Sequence, residues 1–323
     1  MAVSLDMSAP ADLAERKARR SVLADRWFFL LTLGSATLVV VMLLGVMASL
    51  VIGAWPALAK FGFSFIWTQR WSPVKEIFGA LAPIYGTLVT SVIAMVIGIP
   101  VSFGIAIFLT EICPQSLRRP IGIAVELLAG IPSIIYGLWG FFVLAPFLQT
   151  TVQPFLISTL GNIPGIGILF GGAPYGIGLL TAGIVLAIMV LPFITSITRD
   201  VFLTVPVLLR ESAYGMGMTT WEVVRSIVIP YSRVGLVGGI MLGLGRALGE
   251  TMAVTFVIGN SHNISASLLS PSTTISASIA NEFTEATGQI YTSSLIALGL
   301  ILFVITFGVL AAAKWLLIRT ELK

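Results

Sequence analysis

The sequence predicts an all-α integral membrane protein with six transmembrane helices. Of its 323 residues, 57% are hydrophobic and 10% are charged, and the mean hydropathy is +1.03. Because a soluble domain is roughly 25% charged, this composition is typical of a membrane protein. A bilayer core about 30 Å thick is crossed by around 20 apolar helical residues. Six stretches qualify, at 27–52, 84–110, 121–146, 175–198, 234–258 and 291–313.

Lysine and arginine alternate between the connections, which predicts that both termini are cytoplasmic. Basic residues favour the cytoplasmic loops of a membrane protein. The opposite loops hold only Lys60, Arg70 and Lys75. The predicted cytoplasmic side holds Arg16, Lys17, Arg19, Arg20, Arg26, Arg118, Arg119, Arg199, Arg210, Arg225, Arg233, Lys314, Arg319 and Lys323. We therefore expect a multi-pass membrane protein whose N- and C-termini lie on the same, cytoplasmic side.

The domain organisation expected from these spans is a helical core with an accessory helix before it. The segments are a basic cytoplasmic tail at 1–26, an accessory first helix at 27–52, a periplasmic loop at 53–83, a five-helix core at 84–313 and a cytoplasmic tail at 314–323. The core includes a long cytoplasmic loop at 204–230.

The composition excludes several classes of function. With one cysteine, Cys113, and one histidine, His262, the chain has neither a disulfide framework nor a metal site built from these residues. No lysine lies in a Gly-Lys-Ser/Thr sequence, so the chain lacks the loop that holds ATP phosphates. The basic residues are scattered at helix ends, unlike a nucleic-acid-binding face. We expect no enzymatic activity, cofactor, metal or nucleic-acid partner.

The cytoplasmic loop 204–230 is predicted to form two short helices. Pro206 suits the first turn of a helix, and Gly217 suits the position just past a helix end. The segment 219–222 has the spacing of a capping box, which begins a second helix. Pro230 is expected to end it. Such a helical hairpin is suited to docking into a cytoplasmic partner.

Two charged residues lie inside the fifth span. Arg246 and Glu250 are four residues apart and would share one helix face. Counted from Val234, they would lie about 18 Å and 24 Å into the membrane. Because a buried arginine is costly there, it should face protein or a water-filled path, where its planar donors fit a tetrahedral oxyanion. Glu250 would hold Arg246 in place or compete with the anion. A purely structural ion pair is the alternative.

Other features of the spans have simpler interpretations. Glu126, in the third span, is expected to pair with Arg118 or Arg119. In the fifth span, Gly235, Gly239 and Gly243 recur every four residues, a spacing that permits close helix contact in a membrane. That contact could line a transport path or be ordinary packing.

Sequence motifs relate the chain to ABC-importer permeases. Glu211, Ser212, Ala213, Gly217, Ile227, Ile229 and Pro230 match the EAA–xxx–G–(nine residues)–I-x-L-P loop of that family. Ser212 replaces an alanine and Ile229 replaces a leucine. The segment 243–254 resembles the fifth-helix segment of PstC-type permeases of the phosphate-specific importer. The segments 83–88, 100–104 and 130–137 are also similar to that family.

This resemblance implies a MetI-like permease core in the cell inner (cytoplasmic) membrane, the transport of inorganic phosphate, and functional roles for Arg246 and Glu250. It also implies an ATPase-coupling role for the loop residues. The implied partners are a second homologous permease subunit, two cytoplasmic ABC ATPase subunits, a periplasmic phosphate-binding protein and membrane lipid. Importers of sulfate or molybdate remain alternatives, since those anions also suit an arginine. An ion-coupled secondary transporter is less favoured, because no internal repeat is found.

Overall fold

The computed structural model describes the backbone of residues 9–321 and the side chains of residues 24–315. Within that part, every regular element is a helix. The first half contains α1 (Ala9–Phe61), α2 (Ser64–Trp67), α3 (Leu81–Ile107), α4 (Gln115–Ala129), α5 (Ser133–Trp139), α6 (Ala145–Phe147), α7 (Gln153–Leu160) and α8 (Gly167–Phe170). The second half contains α9 (Leu179–Leu203), α10 (Val207–Gly215), α11 (Thr220–Val223), α12 (Ile229–Gly249), α13 (Met252–Val257), α14 (Ile275–Glu282) and α15 (Gln289–Glu321).

Six helical stretches in the described residues are long and apolar enough to cross a membrane, which confirms the predicted number. They are Ala24–Phe61, Leu81–Ile112, Ser133–Leu160, Leu179–Leu203, Thr220–Gly249 and Gln289–Trp315. Residues 1–8 and 322–323 of the predicted tails lie outside the described residues, as do the side chains of Arg16, Lys17, Arg19, Arg20 and Arg319.

The chain divides into two units, Met1–Ile52 and Gly53–Lys323. In the first unit, the described side chains of the apolar stretch 27–49 are all exposed. In the second unit, α3 and α9 form the most extensive helix pair. Their contact is close because small residues lie in it: a Cβ added at Gly183 would be 2.4 Å from the Ile93 side chain. Residues of both helices belong to the main apolar core of the second unit.

The third span differs from its prediction. Instead of one helix over 121–146, α4 ends at Ala129, and a new helix begins at Ser133 and continues through wide π-helical turns to Leu160. The chain breaks at Pro132, whose ψ of 136° is not helical. Proline cannot donate a helical hydrogen bond and disfavours helical geometry in the residue before it. The predicted span therefore combined parts of two separate helices.

The fifth span is also interrupted. The prediction of a continuous helix over 234–258 is wrong, since α12 ends at Gly249 and α13 begins at Met252. Glu250 has an extended ψ of 133°, and Thr251 has a φ of −113°. Residues 250–251 thus form a short non-helical link next to the intramembrane charges.

Candidate functional site

The glycines of α12 place it directly against α9. A Cβ added at Gly235, Gly239 or Gly243 would lie 2.6, 2.9 or 2.7 Å from the nearest side-chain atom of α9. The α9 residues that fill this space are Val201, Ile197 and Ile194, respectively. The predicted close helix contact is therefore present. It fixes the position of α12, which carries Arg246 in its last turn.

The guanidinium of Arg246 is held by an aromatic ring. Its central carbon lies 4.2 Å from the centre of the Phe193 ring on α9. Its Nε is buried and has no hydrogen-bond partner. A ring face attracts a cation without occupying its hydrogen-bond donors. The ring thus positions Arg246 without accepting a hydrogen bond from it, and the buried Nε–H is left without a partner. Phe193 was not identified from the sequence, where it is one apolar residue among many in the fourth span.

Glu250 is close to Arg246 in sequence but interacts elsewhere. Its carboxylate accepts a hydrogen bond from the backbone N–H of Ala253, over 3.3 Å. Among the ion pairs of the described residues, none joins Glu250 to Arg246 within 4.0 Å. The extended backbone at Glu250 directs the chain into α13, whose first turn the carboxylate caps. In this conformation, therefore, Arg246 and Glu250 do not form the structural ion pair that was the alternative interpretation.

Helix α13, which follows the link at 250–251, is packed against α5 as well as α9. A Cβ added at Gly137 of α5 would be 3.1 Å from the Cα of Ala253 and 2.8 Å from the Phe256 ring. Ala253 and Val254 belong to the main apolar core, together with Tyr136 and Ile194. The helix that begins two residues after Glu250 is therefore part of the main apolar core, between α5 and α9.

The loop 204–230 contains the two predicted helices, α10 and α11. Thr219 and Glu222 form the predicted capping box: the Thr219 N–H donates to Glu222 Oε2 over 2.8 Å, and the Glu222 N–H donates to Thr219 Oγ1 over 3.4 Å. Gly217 connects the helices with a φ of +84°. An added Cβ there would contact nothing within 4 Å. Glycine is therefore favoured at 217 by backbone conformation and not by lack of space.

The expectation that Pro230 ends the second helix is wrong. After α11 the chain continues through a π-helical segment, Val224–Val228, directly into α12, and Pro230 lies in the first turn of α12. The wider π turn has a different hydrogen-bond pattern, which accommodates a residue without a backbone N–H. Ile227 is half-buried within this segment and packs against the apolar cluster below the loop.

The loop presents one buried face and one exposed face. Ala213 is buried, and the Ser212 hydroxyl donates to the carbonyl of Leu208 over 2.7 Å. Glu211 is exposed. The large exposed apolar residues on this loop are Val207, Leu208, Leu209, Tyr214, Met216 and Trp221. Large exposed apolar side chains grouped on one segment are typical of interaction sites.

Two ion pairs at this end of the fold were not predicted. Glu126 pairs with Arg199 of α9 over 2.7 Å, and not with Arg118 or Arg119 as expected. Arg118 instead donates to the carbonyl of Thr110 over 2.9 Å. Arg210 of α10 lies 3.2 Å from Glu111, at the end of the helix that contains α3. Glu111 falls just past the predicted end of the second span, so only its nearness to that end could have drawn attention to it.

The opposite end of the fold has a compact polar cluster around His262. The imidazole stacks on Trp71, with ring centres 5.2 Å apart and planes 4° from parallel, and its Nε2 lies 3.5 Å from Glu282. Glu282 accepts hydrogen bonds from Trp71 over 2.6 Å and from Tyr291 over 2.7 Å. Burial lowers the pKa of His262 to about 4 and raises the pKa of Glu282. The imidazole is therefore neutral at neutral pH. In the described residues, no group of three or more His, Cys, Asp or Glu is arranged to hold a metal.

Comparison with known proteins identifies the family. Residues 103–321 match the family described as the binding-protein-dependent transport system inner membrane component. The chain belongs to this family. As a permease of this family it is a multi-pass protein of the inner membrane, in accordance with its six apolar helices. This permease is 66% identical over 97% of its length to 96% of the phosphate transport system permease protein PstC of Mesorhizobium japonicum.

Further relatives are more distant. The protein of the same name from Pasteurella multocida is 58% identical, with 89% of this permease and 90% of the relative aligned. A probable phosphate transport system permease protein of Methanocaldococcus jannaschii is 38% identical, with coverages of 86% and 89%. The recognition of a PstC-type ABC permease from its motifs is confirmed.

Solved structures confirm the fold class. An inward-facing methionine ABC transporter, MetNI, aligns with a TM-score of 0.57 at 17% identity, covering 77% of this permease and 99% of that chain. A bacterial alginate ABC transporter, in complex with an alginate-bound periplasmic protein, aligns with a TM-score of 0.59 at 15% identity, with coverages of 91% and 94%. At these identities the likeness concerns the fold alone.

Proposed function

We propose that this permease is the membrane subunit of an ATP-driven importer that moves inorganic phosphate across the inner membrane. The observation that carries the proposal is the state of Arg246, a charged residue inside a membrane helix whose Nε has no hydrogen-bond partner. The names of relatives up to 66% identical give phosphate as the transported anion. A periplasmic binding protein would deliver it.

The chemistry of Arg246 suits a phosphate that passes through the membrane. A guanidinium stays charged at any physiological pH and can offer two parallel donors to one phosphate. Phe193 keeps this group in place without neutralising it. The permease thus has a cation prepared for an anion, instead of one already satisfied by a carboxylate.

Glu250 has a proposed role in release. Its carboxylate caps the first turn of α13, and it is four residues from Arg246. A change in the non-helical link at 250–251 would let Glu250 approach Arg246 and displace the anion. Transport requires binding weak enough for release. Arg246 and Glu250 are therefore proposed as the substrate pathway.

The 204–230 loop is proposed as the contact with the ATPases, because the chain has no ATP-binding loop of its own. The importer would contain two cytoplasmic ABC ATPase subunits. The exposed apolar residues of this loop would dock into one of them, and a second, homologous permease subunit would contact the other. Within the loop, Glu211, Ser212, Ala213, Gly217, Ile227 and Pro230 are the proposed coupling residues. This arrangement requires both termini in the cytoplasm, as the distribution of lysine and arginine predicts.

Uptake by the complete importer in proteoliposomes tests the proposal. Labelled phosphate uptake should require ATP and should be competed by unlabelled phosphate but not by sulfate or molybdate. Arg246→Gln should reduce it by roughly tenfold or more, since a hydrogen bond to a charged group contributes about 1.5–3 kcal/mol. Arg233→Gln is the matched control, because Arg233 is an exposed residue at the start of the same helix.

The uptake of the two arginine variants distinguishes a role of Arg246 in the substrate pathway from a structural one. Loss of uptake with Arg246→Gln and normal uptake with Arg233→Gln support the pathway. Normal uptake with Arg246→Gln contradicts it. Competition by sulfate or molybdate in place of phosphate assigns the permease to another oxyanion importer. Glu250→Gln keeps the hydrogen bond to Ala253 but removes the charge, so it should slow uptake without weakening the apparent affinity.

A further inference from the structure

Arg210 joins the cytoplasmic loop to the ends of two membrane helices. One terminal nitrogen of its guanidinium, Nη1, lies 3.2 Å from Glu111 Oε1, at the end of the helix that contains α3. The other, Nη2, donates a hydrogen bond to the carbonyl of Phe202, in the last turn of α9. Phe202 is only eight residues from Arg210, but Glu111 is far from both in sequence, so the ion pair exists only in the folded protein.

This contact is shielded from solvent. The Glu111 side chain is 4% exposed and the Arg210 side chain is 15% exposed. The apolar cluster next to it brings together α3, α9, α10, α11 and α12; its buried members are Ala106, Phe202, Val205, Ala213, Val223, Val228 and Leu236. At low exposure an ion pair is screened less by water and salt than a surface pair is. The Arg210–Glu111 pair lies beside this apolar cluster, and we call the pair and the cluster together the joint between the loop and the membrane helices.

The joint lies on a continuous path from the cytoplasmic loop to Arg246. The pair fixes α10 to the ends of α3 and α9, and those two helices are packed along their length. The Ser102 hydroxyl of α3 donates to the carbonyl of Leu191 over 3.1 Å. In turn, α9 contacts the glycines of α12 and supplies the Phe193 ring beneath Arg246.

We propose that the Arg210–Glu111 pair is a positioning contact that transmits movement of the cytoplasmic loop to the membrane helices. This inference rests on the proposed function, because it concerns the coupling of ATP hydrolysis to transport. Apolar side chains in a joint can slide past one another at little cost. The Arg210 guanidinium donates to the Phe202 carbonyl and faces the buried Glu111 carboxylate, so it ties α10 both to α9 and to the helix that contains α3, and we expect α10 to move together with them.

The test must separate coupling from folding. A buried ion pair can often be replaced by apolar residues of similar size without loss of stability, whereas removal of one partner is harmful. The double substitution Glu111→Leu/Arg210→Met is therefore suitable. The matched control is Glu126→Leu/Arg199→Met, which removes an ion pair between α4 and α9 that does not involve the loop.

The experiment measures phosphate transported per ATP hydrolysed by the complete importer in proteoliposomes. The Glu111→Leu/Arg210→Met importer should assemble and hydrolyse ATP, but its transport ratio should fall by roughly tenfold, a usual size for coupling between two sites. The control should keep the ratio of the unaltered importer. Arg210→Lys keeps the charge but loses the planar fork, so we expect an intermediate ratio.

Several results would overturn the inference. An unchanged ratio in the Glu111→Leu/Arg210→Met importer makes the pair merely structural. An equal fall in ATP hydrolysis and uptake, at an unchanged ratio, assigns it to docking instead. If that variant does not assemble, Arg210→Lys decides, and a normal ratio there refutes the proposal. Absence of phosphate uptake by the unaltered importer overturns the proposed function itself, and the coupling role with it.

Discussion

The guanidinium carbon of Arg246 lies 4.2 Å from the centre of the Phe193 ring, so the charge inside α12 is held by an aromatic side chain of α9. The interaction joins two helices that also meet through Gly243 and Ile194. It keeps Arg246 positioned without an anionic partner, in contrast to Arg199 near the C-terminal end of α9, which forms an ion pair with Glu126. The effect of this contact on transport and on helix packing can be measured with single substitutions.

Phe193→Leu should impair transport while leaving the importer assembled. Leucine fills much of the space but offers no ring face, and a cation–ring contact contributes about 1 kcal/mol, so we expect roughly a fivefold loss of uptake. Labelled phosphate uptake at limiting concentration measures this effect. Phe142→Leu, at an exposed ring elsewhere, should transport normally. Equal losses for both variants would contradict a specific role for Phe193.

Gly243→Ala should separate α12 from α9. The added Cβ would meet Ile194 at 2.7 Å, and overpacking of this kind costs about 1–3 kcal/mol. We expect a lower thermal unfolding temperature in detergent and reduced uptake. Gly238→Ala is the matched control, because an added Cβ there has nothing within 4 Å. Equal stability of the two variants would mean that α12 can move away from α9 freely.

Gly217→Ala should weaken the loop 204–230 through backbone strain. The φ of +84° is unfavourable for alanine, so we expect a cost of roughly 1 kcal/mol and a smaller yield of ATPase co-purified with the permease. Gly215→Ala, also with open space around the added Cβ, should co-purify normally because Gly215 is helical. Normal co-purification with both variants would dissociate the turn at 217 from ATPase docking.

Stability of the permease should fall in acid through His262. The pKa of His262 is about 4 in the folded protein, against an ordinary value of 6.5. Between these values the unfolded chain binds the extra proton, so the folded state loses stability as the pH falls from about 6.5 to about 4, by about 3 kcal/mol in all. Glu282, 3.5 Å away, acts in the opposite direction, because burial raises its pKa.

His262→Phe isolates the histidine contribution, since it keeps the stacking on Trp71 and removes the titration. The unfolding temperature of this variant should decline less between pH 6.5 and pH 4 than that of the unaltered permease. Asn263→Gln, at the exposed neighbouring position, should keep the original pH profile. Parallel profiles for His262→Phe and the unaltered permease would show that the imidazole takes up its proton without cost.

The local features were predictable because each depends on residues close together in the chain. The capping box of Thr219 and Glu222 needs only three-residue spacing, and the conformation of Gly217 follows from its place after a helix. Mispredictions arose where several local signals competed. Pro230 is a helix breaker by type, yet the π segment before it carries the helix onward. The role of Arg246 and Glu250 in transport stays a prediction.

By itself, the sequence determined the number of spans, the family and the identity of the intramembrane charges, because hydropathy over about 20 residues and motif spacing are properties of the chain. Only the tertiary structure decided which charged residues pair with one another. Glu126 meets Arg199 and Glu111 meets Arg210 because long-range packing brings the ends of separate helices together. It also decided that Arg246 rests on Phe193, since the glycines of α12 allow that helix to approach α9 closely enough for the ring to reach the charge.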